Sequence, residues 1–147
     1  MTARPRNHET TQPRILPKWH EPAIRVLMMP RDTNAQGTIF GGVILSYIDQ
    51  AGAIEARRQG SNVMVTVAMD KIVFHEPVFV GDLISFWCET LRIGKTSITI
   101  NVKVEANRYN NPQHKVLVTE AQVVYVNLGE DRKPTAIVRR ASSPAAP

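Results

Sequence analysis

The 147-residue sequence holds one cysteine, Cys88, so no disulfide can close within the chain and the composition fits a reducing compartment. Long apolar runs are missing too. No stretch approaches the roughly 20 residues that cross a bilayer. The opening segment MTARPRNHETTQPRILPKWHEP lacks the apolar core of a signal peptide, and its acids Glu9 and Glu21 and prolines Pro5, Pro13 and Pro17 argue against a mitochondrial presequence. These absences predict a cytoplasmic protein that does not engage a membrane. The histidines His8, His20, His75 and His114 show no ligand spacing with Cys, Asp or Glu, which predicts no metal site.

A folded basic face is missing as well, although the formal charge is +5. Residues 1–25 carry Arg4, Arg6, Arg14, Lys18 and Arg25 against Glu9 and Glu21, and residues 130–147 carry Arg132, Lys133, Arg139 and Arg140 against Glu130 and Asp131. The stretch 26–129 has nine charges of each sign. Nucleic-acid recognition needs Lys and Arg clustered along a folded surface that tracks phosphates. A neutral body with basic ends predicts no such partner.

What is present is one globular unit. Residues 1–21 are polar, proline-rich and without period, and RRASSPAAP at 139–147 has the same character, so both are expected to be flexible arms around a domain at 22–138. Ala23–Met29 is a short apolar run ended by Pro30, a strand signal. Ile39 to about Arg58 has the length and spacing of a helix, closed by Gly60, and is apolar on nearly every side before Glu55. Asn62–Val73, Leu83–Leu91, Ser97–Asn107 and Lys115–Leu128 are rich in Val, Ile and Thr, with alternation such as Ile98, Ile100, Val102 and Val104. The order β-α-β-β-β-β with short connections predicts the α+β class, an antiparallel sheet curling around the one helix. Its open edges are expected to pair in a dimer.

The segment PRDTNAQGTIFGGVILSYID, from Pro30 to Asp49, carries the least common combination in the chain. Gly41 and Gly42 at a helix start leave backbone N–H groups unobstructed, without intrahelical partners and at the positive end of the macrodipole. Such groups can hold an oxyanion. Asp49 lies about two turns, roughly 12 Å, further along the helix. On so apolar a surface its carboxylate is paired, partly protonated or kept for chemistry. Each feature alone has a plainer explanation: a glycine pair as a turn or close-packing device, and Asp49 as an ion-pair partner of Arg57 or Lys71.

Together they carry a resemblance. The pattern PxDTNxxGxIFGG, followed by Asp49 and then Ala51-Gly52, is similar to the bacterial acyl-CoA thioesterases of the hotdog fold, the YciA-like and cytosolic acyl-CoA hydrolase group. The block from Val65 to Asp82, ending FHEPVFVGD, resembles that family's second block, and the Gly94-Lys95-Thr96-Ser97 turn resembles its third. The likeness spans about residues 22–129.

The resemblance implies a hotdog domain, a sheet wrapped around the long helix, with the homodimer as the minimal active unit and a homohexamer, a trimer of dimers, as the assembly. It implies acyl-CoA as substrate and no metal or redox cofactor. Carried over residue by residue, Asp49 is the catalytic carboxylate, as general base or nucleophile. Gly41 and Gly42 polarise the thioester carbonyl, and Asn34 of the partner's motif orients water or substrate. Thr66 and the turn Gly94, Lys95, Thr96 and Ser97 contact the pantetheine and phosphate end, with Lys95 and Arg92 or Arg57 meeting phosphate charge. His75-Glu76 departs from the family pattern. His75 is thus either an added general acid or a plain surface histidine. Two other functions stay open: a hotdog module that binds acyl-CoA without hydrolysing it, and a hydratase. A hydratase would want a helix histidine, and none lies between Ile39 and Arg58.

Overall fold

The computed structural model describes residues 21–60 and 63–138. Apart from Glu21, the two expected arms lie outside the described residues. Strand β1 (Ile24–Leu27) leads through a 3-10 turn at Pro30–Asp32 to helix α1 (Gly41–Arg58). Strands β2 (Val63–Asp70), β3 (Leu83–Ile93), β4 (Ser97–Arg108) and β5 (Asn111–Leu128) follow. All five pair antiparallel in one sheet of order β1-β3-β4-β5-β2. The expected element order and α+β class are those observed.

The core lies between the sheet and α1. In β4 the alternation is strict: Ile98, Ile100, Val102, Val104 and Ala106 are wholly buried. From β5, Val118, Ala121, Val123 and Tyr125 add to the same layer. Each large aliphatic side chain buried this way contributes about 1.5–3 kcal/mol. The helix answers with Ile44, Ile48, Ala51, Gly52, Glu55 and Ala56, a single stripe. The sheet therefore does not wrap the helix on all sides within one protomer. Phe40 and Ile54 remain exposed, and Val43, Leu45, Tyr47 and Ala53 are half-buried.

Several strand boundaries differ from expectation: β2 ends at Asp70 rather than Val73, and β3 runs on to Ile93. β5 begins at Asn111 rather than Lys115, because Tyr109 and Asn110 alone make the turn and Arg108 pairs with Asn111. Pro112 is tolerated there because β2 pairs only with Gln122–Leu128 and His75 N donates only as far back as Val118 O, which leaves the start of β5 with a free side.

The Val-Gly-Asp82 pattern is a structural anchor. Gly81 adopts φ +87°, a conformation that favours glycine, and its N–H donates to Met28 O at 2.8 Å. The buried Asp82 carboxylate accepts from Phe79 N at 3.0 Å, Tyr109 N at 3.1 Å and Arg108 Nη1 at 2.7 Å. Arg108 also donates to Pro77 O at 2.8 Å and lies over the Phe79 ring. Arg108→Met leaves that carboxylate buried without its countercharge. The expected result is a loss of about 3–5 kcal/mol of stability, read from the urea unfolding midpoint.

Candidate active site

Asp49 projects from the middle of α1, half-buried against β2 and β5. Thr66 Oγ1 donates to its Oδ1 at 2.5 Å, and the Tyr125 hydroxyl donates to its backbone carbonyl at 2.6 Å. Thr66 and Tyr125 are direct cross-strand neighbours in the β2–β5 register, so their side chains share one face. A register shift between Thr66 and Ala68 resets the alternation just beyond them. The carboxylate is thus partnered by Thr66, and neither Arg57 nor Lys71 pairs with it. Thr66, expected at the pantetheine, sits beside Asp49. The Tyr125 hydroxyl also lies close enough to the Asp49 side chain to hydrogen-bond with it.

The helix start is built by the loop before it. Asp32 accepts from Met29 N at 3.0 Å, and Thr33 Oγ1 donates to Pro30 O at 2.6 Å. Asn34 Oδ1 accepts from Gln36 N at 2.9 Å and Thr38 N at 3.1 Å, while its Nδ2 donates to Thr38 Oγ1 at 2.8 Å. Asn34 therefore folds its own loop and keeps one amide hydrogen to offer outward. Phe40, at φ −54° and ψ 131°, precedes the helix with no side-chain cap.

The N–H groups of Gly41 and Gly42 donate to no described residue. Neither glycine has positive φ. A Cβ on Gly42 would meet nothing within 4 Å, and one on Gly41 would make an ordinary 3.6 Å contact with the Phe74 ring. Neither a turn nor close packing inside the protomer demands these two glycines. A cleft of about 310 Å³ opens beside them, bordered by Thr38, Gly41, Ile44, Phe74, His75 and Val78. His75 is exposed at its rim. Asp49 does not border this cleft.

Comparison with known proteins places the chain in a family. Residues 36–110 match the family model described as the thioesterase superfamily, and the chain is 38% identical over 120 residues to an uncharacterized acyl-CoA thioester hydrolase of Zymomonas mobilis, covering 80% of this chain and 78% of that protein. The chain belongs to the thioesterase superfamily. It is also 38% identical to the acyl-CoA thioester hydrolase YciA of Salmonella typhimurium, over 78% of this chain and 87% of that one. Among solved structures it resembles a hexameric hotdog fold thioesterase of Campylobacter jejuni, with 46% identity, a TM-score of 0.76, and coverage of 80% and 90%. The fold of this thioesterase is the hotdog fold.

The remaining predicted residues of the thioesterase lie at the end of the sheet away from the helix start, close to the Thr66–Tyr125 pair, since Tyr125 also stands opposite Ile98. In the β3–β4 turn, Gly94 N donates to Ser97 O at 2.8 Å. The carbonyls of Lys95 and Thr96 accept from Ile137 N and Asn127 N, both at 2.8 Å, so the chain after β5 braces the turn. The Lys95 and Arg92 side chains are exposed there. Arg57 is exposed in the last turn of α1, which leads into the start of β2. Val63 there pairs with Leu128, next to Asn127. Among the described residues no group of three or more His, Cys, Asp or Glu is placed to hold a metal ion. No helix of the described residues is long and apolar enough to cross a membrane.

Sequence reading missed Tyr125 and Gly52. A Cβ at Gly52 would run into the Tyr125 hydroxyl, with ring atoms at 3.0 Å. The Ala51-Gly52 pair after Asp49 was the available signal. Tyr47 and Phe86 pack in the core with ring centroids 5.6 Å apart. Glu55, buried, is satisfied by Arg58, Gln59 and Thr90.

Burial, reinforced by the Glu55 carboxylate and opposed by Arg58, pushes the Cys88 thiol up from 9.0 to about 12. Burial, with Asp49 adding, also lifts the Tyr125 phenol above its usual value. Both groups keep their protons in the folded chain at pH values where the unfolded chain has lost them. Their contribution to stability is therefore complete below pH 9.0 and declines as pH rises towards about 12. Thermal unfolding midpoints measured from about pH 8 to about pH 11 should fall, and Cys88→Ala should remove part of the fall.

Proposed function

We propose that the protein hydrolyses acyl-CoA to the free acid and CoA, with Asp49 as the reacting carboxylate. The observation that carries this reading is the Asp49 side chain, a half-buried carboxylate on an apolar helix, fixed through Oδ1 by Thr66. Oδ2 takes a proton from water as the oxygen adds to the thioester carbon. The oxyanion is received by helix-start N–H groups of Gly41 and Gly42. The C–S bond then breaks, and the CoA sulfur leaves with the proton that Asp49 holds.

Gly41 and Asp49 of one chain are roughly 12 Å apart along the helix. The proposed site therefore joins Asp49 of one subunit to the helix start of another, with the Asn34 amide hydrogen nearby. The exposed Phe40 and Ile54 and the apolar free edge of β2, with Val63 and Val67 exposed, support a homodimer as the active unit. The hexameric relative supports a trimer of dimers. Lys95, Arg92 and Arg57, with the Gly94–Ser97 turn, are proposed to meet the phosphates of CoA. The single cysteine supports a cytoplasmic setting, and the proposed reaction needs no metal or redox cofactor.

The test is release of CoA thiol from a panel of short to long acyl-CoA esters. Catalytic release supports hydrolysis. Saturable binding of acyl-CoA without release would instead identify a binding module.

A further inference from the structure

We propose that Tyr125 is a positioning residue for Asp49, seated in the notch left by Gly52. The inference rests on the reading of Asp49 as the reacting group. Thr66 and Tyr125, opposite each other on β2 and β5, grip the same helix residue at two points. One donates to the carboxylate, the other at 2.6 Å to the main-chain carbonyl. A helix-interior carbonyl is already an acceptor in the helix ladder. The same hydroxyl meets the backbone of Ala53, the residue whose N–H is the ladder donor to that carbonyl. What the bond adds is a fixed height and rotation of α1 over the sheet at the residue that must meet substrate.

Gly52, three residues on, lies on the same helix face as Asp49. It is itself fully covered and has an ordinary helical φ, so its lack of a side chain serves the tyrosine and not the backbone. Tyr125 is almost wholly buried, and its hydroxyl stays protonated, which keeps it a donor. Asp49 is thereby held by main chain and side chain together. Displacement of a reacting group by about 1 Å is enough to cost up to about a hundredfold in rate.

Tyr125→Phe keeps the ring and removes the donor. In the full chain, assayed by CoA thiol release, kcat should fall about tenfold or more while KM stays within about twofold. Val123→Ala, on the same strand and facing the core, serves as a control for lost stability and should leave kcat near wild type. A Tyr125→Phe protein with unchanged kcat, or with KM raised in step, overturns the proposal. So does one that cannot fold, since the hydroxyl would then serve the fold as a whole. Asp49→Asn separates the two layers. If it remains active the underlying reading fails, whereas inactive Asp49→Asn beside fully active Tyr125→Phe sinks only the positioning role.

Discussion

Asp49→Asn should lower turnover of acyl-CoA by at least about a thousandfold while leaving the assembly and its melting temperature close to wild type. Asparagine matches the carboxylate in shape and can still accept from Thr66 Oγ1, so the contact to β2 survives. What disappears is the capacity to take a proton from water or to attack a carbonyl. General base catalysis alone is worth about 10²–10⁴-fold, and loss of a nucleophile costs more. Steady-state kcat on one good substrate, with a melting curve and a sizing column, checks it. Activity within a few-fold of wild type would remove Asp49 from the chemistry.

Gly41→Pro is expected to have the next largest effect. Proline at the first helical position is compatible with the fold, because that N–H has no intrahelical acceptor. Phe40 before it already has φ −54° and ψ 131°, clear of the α region that a following proline disfavours. The substitution thus deletes one donor at the helix start and little else. If that N–H receives the oxyanion, kcat should drop about 10²–10³-fold with the helix intact by circular dichroism. Gly42→Ala is the companion. It keeps its N–H, and inside the protomer its Cβ enters open space. A severe loss from it would mean that a partner chain or substrate passes against that position. Near-normal kcat in Gly41→Pro would exclude Gly41 as the donor.

The order of elements and the buried face of β4 were legible because period-2 alternation is a local property, written in neighbouring residues. Asp49 was legible for a similar reason, as one acid inside an apolar helix. The identity of its partner was not. Thr66 lies 17 residues away, and only the β2–β5 register, with its shift after Thr66, decides that this side chain faces the helix. The Asp-Thr-Asn pattern stood out as a motif, yet much of its hydrogen bonding goes into folding residues 29–38. That division of labour is invisible until the loop's donors and acceptors are matched. The helix looked fit for burial on every side, and its own sheet covers only the stripe from Ile44 to Ala56. Apolar pattern alone does not say which chain supplies the cover.

The buried Cys88 thiol makes the protein its own chemical blank. With burial holding its titration well above the usual thiol range, little of it is the reactive thiolate near pH 8. Thiol reagents used to count released CoA should therefore read product against almost no protein background. A cysteine introduced at an exposed position such as Tyr109 or Val138 can be labelled selectively without first removing the native one.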